Sequence, residues 1–181
     1  MATISQVDPK AATGRCKELL DGINTKMGRV PNVFLHMANS PAALEAYLNF
    51  SGALAGGVLD AQFRERIAIA VAQINDCEYC LSAHVALGKM AGLSESELAE
   101  AQLGRSTDAK INAGLNFARS LVLRRMDLPT GDVQVLKDAG FTDAEVVELI
   151  ANVALNVYTN WFNHVVQPEV DFPKVKLSFP V

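Results

Sequence analysis

Two cysteines and a histidine in one short segment are the residues of this sequence best suited to chemistry. They lie in residues 75–84, which read NDCEYCLSAH. If the segment is helical, Cys77, Cys80 and His84 are three and four residues apart, so both sulfurs and the imidazole emerge on one face. Such a face combines a dithiol with its own proton carrier. Three chemistries are open to it: thiol redox work, metal binding and a structural thiol pair.

The residues around the first cysteine predict how the helix begins. Asn75 can serve as N-cap, and Glu78 three residues later completes a capping-box pattern. The cysteines would then occupy the first turns of the helix, where free amides and the helix dipole favour thiolate over thiol. This position favours a reactive thiol.

The metal interpretation is weaker than the redox one. Three ligands from consecutive turns of one helix fit tetrahedral zinc poorly, and the sequence has no second cluster of cysteine and histidine to complete the site. Cys16 is isolated in the sequence and is interpreted as an ordinary helix residue. We therefore expect thiol redox chemistry, with no metal and no other cofactor.

A glutamate on the preceding helix is a candidate partner for this segment. Asp60 caps a predicted helix over 61–74, and on it Glu65 begins a stripe of apolar residues. Its carboxylate should therefore face the interior or a cleft, within hydrogen-bond or one-water reach of the cysteines or the histidine. Arg64 and Arg66 flank it and are expected to reach solvent.

Three further residues are weighed as site candidates. His164 lies beside the one tryptophan, at the end of a predicted buried helix, and an interaction with the helix dipole is favoured over a place in the site. His36 is predicted to be a capping or surface residue. Tyr79 either packs in the core or lines the site with its hydroxyl.

Start and stop signals predict an all-α protein with one domain over residues 1–181. An N-terminal arm (1–12), a redox core (60–92) and an irregular C-terminal tail (168–181) are distinguished by their breakers and caps. Ser94 with Glu97 and Thr142 with Glu145 form capping boxes. The predicted helices span about 14–24, 33–38, 41–55, 61–74, 77–90, 95–103 and 107–126, then a short helix ending at Ala139 and a long one over 143–163.

Composition limits the partners. The 181 residues are 50% hydrophobic and 7% aromatic, with a net charge of −4, so neither nucleic acid nor an anionic membrane surface is expected. No apolar run approaches the length of a membrane span, and the first residues do not resemble a signal peptide. We expect a cytoplasmic protein, a compartment in which paired cysteines are usually catalytic, redox-active or metal-binding.

The spacing of these residues resembles a known family. Glu65, eleven intervening residues and then Cys77-x-x-Cys80-x-x-x-His84 are similar to the signature of the alkylhydroperoxidase D branch of the carboxymuconolactone decarboxylase superfamily. Residues 28–34 and 160–173 resemble less characterised, peroxidase-related members. The resemblance implies an all-helical bundle assembled into homo-oligomers, trimers or hexamers, with sites near the subunit contacts.

The resemblance also implies roles for individual residues. Cys80 would be the peroxidatic thiol and Cys77 the resolving thiol, while Glu65 and His84 would form a proton relay. The substrate would be a small hydroperoxide, and an external dithiol would reduce the resulting disulfide. This sequence departs from the best-known members at Tyr79, where they carry histidine.

Two other functions remain open at this stage. A lactone decarboxylase or isomerase of the wider superfamily would depend on acid–base residues such as His84 or His164, and it would not need paired cysteines. A non-catalytic, redox-sensing oligomer would use its disulfide to change packing instead of turning over substrate.

Overall fold

The predicted all-α architecture is confirmed. The computed structural model describes residues 2–124 and 131–178, and every regular element in those ranges is an α-helix. The helices are α1 (Gly14–Met27), α2 (Asn32–Met37), α3 (Pro41–Ala55), α4 (Ala61–Ile74), α5 (Glu78–Met90), α6 (Glu95–Gln102), α7 (Ala109–Leu123), α8 (Gly131–Asp138) and α9 (Asp143–Val166).

Helix α4 is the central element. It packs against α5, α6, α7 and α9, and residues 66–73 are buried without interruption. An uninterrupted buried run requires apolar side chains on every face, which the alternating isoleucine, valine and alanine of this stretch supply. The alanines also let neighbouring helices approach closely, so α4 is held rigidly from several sides.

Two hydrophobic clusters share this helix. Ile69 and Ala72 belong to the first cluster, which also contains the two cysteines of residues 75–84. Ile67 and Val71 belong to the second cluster, with buried side chains of α7, α8 and α9. The candidate site therefore lies on one side of α4, and the second hydrophobic cluster packs against the other side.

Three of the predicted helix caps are confirmed. The capping boxes of Ser94 with Glu97 and of Thr142 with Glu145 are both complete, with side chain and backbone bonded in each direction. Asp60 accepts a hydrogen bond from the Phe63 amide and caps α4 as predicted. These caps satisfy amides that have no partner within their own helix.

The predicted Asn75 and Glu78 capping box is wrong. Asn75 is the C-cap of α4, and Cys77 is the N-cap of α5. Asp76 between them has φ of 50°, in the left-handed region, which reverses the chain over very few residues. The Cys77 amide then donates to the Ala72 carbonyl at 2.9 Å. Because the turn is this tight, Asn75 belongs to the end of α4 and does not cap α5.

Other boundaries differ by small amounts. Helix α1 continues past the predicted end at Asn24 to Met27, after which a left-handed glycine ends it. Helix α7 begins at Ala109 and not at the predicted residue 107, because Asp108 caps it by accepting from the Ile111 amide. Helix α7 ends at Leu123 with Arg124 as its C-cap, and residues 125 and 126 of the predicted helix lie outside the described residues.

The C-terminal part of the chain lies against the site. Helix α9 extends beyond the predicted end to Val166 and stops at Gln167, which is left-handed with φ of 55°. Residues 167–178 are irregular, as predicted, and run across α5, where the Val175 amide donates to the Ser82 hydroxyl at 3.0 Å. None of the described helices is long and apolar enough to cross a membrane.

Candidate active site

The two cysteines at the start of α5 form a disulfide. Their Cα atoms are 5.3 Å apart, and each residue is only 3% exposed. Cys77 has φ of −90° and ψ of 89°, which is not helical, so it does not share the helical face of Cys80 and His84 as the spacing predicted. Its Sγ instead accepts a hydrogen bond from the Cys80 amide at 3.3 Å.

His84 lies one turn after Cys80 and contacts the predicted glutamate. Its Nδ1 is 2.8 Å from Oε2 of Glu65, and both side chains are 20% exposed. The expected reach of the Glu65 carboxylate is therefore present. A carboxylate on one ring nitrogen fixes the orientation of the imidazole and leaves the other nitrogen free to exchange a proton.

A small, mostly apolar cavity of about 70 Å³ adjoins Cys80. His84, Thr159 and Asn163 add polar groups to its wall beside the sulfur. Cys80 and the His84 imidazole thus border the same confined space, where the scarcity of water strengthens polar interactions with a bound molecule. The rest of the wall is formed by Met27, Pro31, Val33, Phe34, Tyr47, Tyr79, Ala83, Leu87 and Phe172.

Tyr47 of α3 is a polar residue of this cavity that the sequence did not indicate. Burial and the negative charge of Glu65 raise the pKa of its phenol to about 12. Its ring packs against Phe34 and Tyr158 at centroid distances of 5.7 and 6.4 Å. The phenol therefore stays protonated at neutral pH, available as a hydrogen-bond donor in the wall.

Asn163 of α9 contacts one sulfur of the disulfide directly. Its Nδ2 donates to Sγ of Cys80 at 3.2 Å, while its Oδ1 is buried without a partner among the described residues. An amide donor of this kind stabilises negative charge on the sulfur. Sequence reasoning singled out the next residue, His164, and missed this one because only the packing of α9 on α5 reveals it.

Tyr79 is committed to structural hydrogen bonds. Its hydroxyl donates to Asp171 at 2.7 Å and accepts from the Val33 amide at 3.1 Å. The Phe172 ring packs edge-on against it, with centroids 5.8 Å apart. Burial and the Asp171 carboxylate hold the pKa of this phenol well above its ordinary value. The tyrosine thus pins the C-terminal tail and the α2 start over α5.

A second opening leads to the other cysteine. A cleft of about 200 Å³ reaches Cys77 and is lined by Asp76 and Glu78 on one side and by the end of α9 on the other. His164 lies in this cleft and not in the cavity at Cys80, with its Nε2 2.5 Å from the Asn75 carbonyl oxygen. The two residues of the disulfide thus border different openings.

Two predicted surface positions are buried. Arg66 is 4% exposed because α6 covers it, and its Nη2 is 2.6 Å from Glu97. His36 is 3% exposed, within the packing of α2. Arg64 is partly buried and donates to the Leu59 carbonyl. None of these three residues lines the cavity at Cys80 or the cleft at Cys77.

The described residues contain no group of three or more histidine, cysteine, aspartate or glutamate side chains placed to hold a metal ion. Cys16 is partly buried on α1, and its thiol contacts the Ala38 carbonyl at 3.5 Å. The candidate reactive groups are the disulfide and the His84–Glu65 pair, with the side-chain amide of Asn163 beside them.

Comparison with known proteins agrees with this geometry. Residues 41–122, which include the whole of α4 and α5, match the model of the carboxymuconolactone decarboxylase family. The central part of the chain, which contains the candidate site, is therefore similar to the carboxymuconolactone decarboxylase family. Among curated proteins, no sequence matches this chain.

Solved structures extend the family fold to nearly the full length. An uncharacterised peroxidase-related protein from Ralstonia eutropha JMP134, with an alkylhydroperoxidase AhpD core, superposes with a TM-score of 0.85 at 23% identity, covering 94% of this chain and 92% of that one. A peroxidase-related protein from Silicibacter sp. TM1040 gives 0.77 at 22% identity, covering 97% and 95%.

A third similar structure is that of a debrominase. It is a cysteine-to-alanine variant of the debrominase Bmp8 in complex with 2,3,4-tribromopyrrole, with a TM-score of 0.81 at 15% identity, covering 94% of this chain and 92% of that one. At these identities the structures show that this chain has the alkylhydroperoxidase D-like fold. They leave its reaction to be argued from the site.

Proposed function

We propose that this protein is a thiol-dependent peroxidase that reduces small hydroperoxides through Cys77 and Cys80. The observation that carries the proposal is the placement of Cys80 in the wall of an apolar cavity, one helical turn from the His84–Glu65 pair. A hydroperoxide needs a thiolate to attack its O–O bond and an acid to protonate the leaving oxygen. The cavity holds both groups.

The cycle begins with the reduced dithiol. The Cys80 thiolate attacks the terminal oxygen of ROOH, the O–O bond breaks, and the alkoxide leaves with a proton supplied through His84 and Glu65. Cys80 becomes a sulfenic acid, and the Cys77 thiolate attacks its sulfur to form the disulfide and release water. An external dithiol donates two electrons and two protons to restore the reduced state.

Cys80 is the proposed attacking sulfur because the polar groups of the cavity converge on it. Asn163 donates to Cys80, and His84 shares its cavity, whereas Cys77 lies outside that cavity. We also propose that the protein is cytoplasmic and forms a homo-oligomer, either a trimer or a hexamer. Tyr79 takes the place of the family histidine, and its hydroxyl is engaged by Asp171, so the relay proposed here passes through Glu65 and His84 alone.

The test is steady-state consumption of cumene hydroperoxide with dithiothreitol as donor. We expect turnover by the wild-type protein and loss of it after iodoacetamide treatment of the reduced protein. Equal turnover before and after alkylation would contradict the proposal. A lactone substrate serves as a second arm, since lactone turnover that survives alkylation would favour the acid–base decarboxylase or isomerase instead.

Reductive dehalogenation is the second candidate. The aromatic lining of the cavity, which includes Phe34, Tyr47 and Phe172, suits a flat aromatic ring, and the similar debrominase Bmp8 was crystallised with a brominated pyrrole. A dithiol can replace bromine by hydrogen, giving bromide and the disulfide. Bromide release from a brominated pyrrole, faster than hydroperoxide consumption under the same conditions, would favour this activity.

A further inference from the structure

We propose that the cleft at Cys77 is the binding site for the reducing thiol, and that it selects uncharged or cationic thiols over anionic ones. The inference deepens the proposed function, since it concerns the return of the disulfide to the dithiol. It rests on the separate openings at the two sulfurs and on the charges around the one at Cys77.

The two openings are separated by protein. Tyr79 and Asn163 line both the cavity at Cys80 and the cleft at Cys77, so they form the partition between them. The cavity is small and apolar, whereas the cleft is larger and has polar walls on both sides. A hydrophilic thiol is therefore better accommodated in the cleft, where the disulfide residue in the wall is Cys77.

Asn163, one of the two residues between the openings, carries a hydrogen-bond acceptor for a bound thiol. Asn163 is 7% exposed, and its Oδ1 has no hydrogen-bond partner in the described part of the chain. A buried acceptor without a partner is uncommon, because leaving it unsatisfied costs free energy. A hydroxyl, amide or ammonium group on the thiol would supply the missing donor.

The charge at the mouth of the cleft is negative. Asp76 and Glu78 flank Cys77, both are exposed, and neither takes part in an ion pair among the described residues. Carboxylates within several ångströms of the entering group disfavour a second anion and favour a cation, and salt weakens both effects. His164, the remaining ionisable group of the cleft apart from Tyr79, has its Nε2 against the Asn75 carbonyl.

The exchange reaction follows from this placement. The entering thiolate attacks Sγ of Cys77, the S–S bond breaks, and the electron pair leaves on Cys80. Asn163 donates to that sulfur, and His84 lies in the same cavity. A second thiol attacks the donor sulfur of the mixed disulfide and releases Cys77. The donor loses two electrons and two protons, and the protein gains them.

The first experiment uses the wild-type disulfide and no hydroperoxide. The oxidised protein is treated briefly with cysteamine, quenched with acid, and mapped by mass spectrometry for the mixed disulfide. We expect the adduct on Cys77. An adduct on Cys80 would overturn the proposal.

The second experiment measures selectivity. In a Cys16→Ser background, Cys80→Ser leaves only Cys77, and Cys77→Ser leaves only Cys80. Each reduced protein reacts with cystamine, bis(2-hydroxyethyl) disulfide and 3,3′-dithiodipropionate, which differ in the charge of arms of similar length. For Cys77 we expect the cationic disulfide to react roughly tenfold faster than the anionic one at low salt, with a smaller ratio at high salt. For Cys80 we expect slower reactions without a charge order.

Neutralising the cleft provides the control. Asp76→Asn with Glu78→Gln in the Cys80→Ser protein should bring the cation-to-anion ratio close to one, whereas Glu100→Gln, a carboxylate outside the cleft, should leave it unchanged. A ratio that survives the double substitution would overturn the charge assignment. A Cys77 adduct in a protein that fails to consume hydroperoxide would contradict the proposed peroxidase and support this inference.

Discussion

The two sulfurs of one disulfide lie in different surroundings. Cys80 faces a small apolar cavity with His84 and an amide donor, whereas Cys77 faces an open cleft with exposed carboxylates. The cause is local. Cys80 is inside α5, and Cys77 is its N-cap with non-helical backbone, so the two bonded residues border different openings. In the function proposed above, one opening serves the substrate and the other serves the reducing thiol.

Removing either sulfur is the strongest way to break this comparison. Cys80→Ser should lower hydroperoxide turnover by at least about 100-fold, because the attacking thiolate is lost. Cys77→Ser should retain a single turnover in stopped-flow measurements, since it lacks only the resolving thiol. Equal burst amplitudes in the two variants would contradict different roles for the two sulfurs.

Weakening the relay tests the Cys80 side by itself. Glu65→Gln should reduce kcat/KM for cumene hydroperoxide roughly 10- to 100-fold, because the amide orients His84 but does not accept a proton. Glu148→Gln is the matched control, since Glu148 accepts from the Val58 and Leu59 amides and lies outside the site. Similar losses in both variants would show that Glu65 acts through stability.

Replacing Asn163, whose side-chain amide donates to Cys80, should have a smaller effect on the reactivity of that cysteine. Asn163→Leu should slow alkylation of Cys80 by iodoacetamide about tenfold at neutral pH in the reduced Cys16→Ser/Cys77→Ser protein, because a hydrogen bond to the thiolate is lost. Asn152→Leu changes a buried asparagine of α9 that bonds the Glu148 carbonyl instead. An unchanged rate in Asn163→Leu would remove this amide from the account.

The smallest expected effect is the change in stability when Tyr79, which lies between the two openings, is replaced. Tyr79→Phe loses the hydrogen bond to Asp171, which should lower the free energy of unfolding by about 1 kcal/mol at pH 8. Because the pKa of Tyr79 is raised in the folded state from its ordinary value of 10.0, folding favours the protonated phenol. The contribution of this raised pKa to the free energy of unfolding is fully present below pH 10 and is lost as the pH rises above 10.

Urea unfolding of the wild type and Tyr79→Phe at pH 8 and at pH 11 checks this sign. We expect the difference between the two proteins to shrink at the higher pH. A difference that is constant or grows would mean that the phenol is not held protonated by the fold.

Short-range patterns were sufficient to predict most of the helices and the inward-facing position of Glu65, whereas its pairing with His84 was implied by the family resemblance. The capping boxes at Ser94 and Thr142 depend on residues three positions apart, so the sequence contains all that determines them. The boundary at Asn75 failed for a different reason. The same residue types can cap the start of α5 or the end of α4, and packing of the two helices decides which occurs.

The missed residues of the site depend on distant contacts. Asn163 reaches Cys80 from α9, Tyr47 reaches the cavity from α3, and Asp171 reaches Tyr79 from the tail. No spacing in the sequence relates these positions to one another. Arg66 was expected to reach solvent for the same reason, since its burial follows from α6 covering that face of α4.

The central claim is that Cys80 is the sulfur that attacks the hydroperoxide. Its most direct test is trapping of the sulfenic acid. Reduced Cys77→Ser and Cys80→Ser proteins are treated with substoichiometric cumene hydroperoxide and a sulfenic-acid probe, and the label is located by mass spectrometry. The account predicts label on Cys80 in the Cys77→Ser protein and little on Cys77 in the Cys80→Ser protein. Label on Cys77 in the Cys80→Ser protein at an equal or greater rate would contradict it.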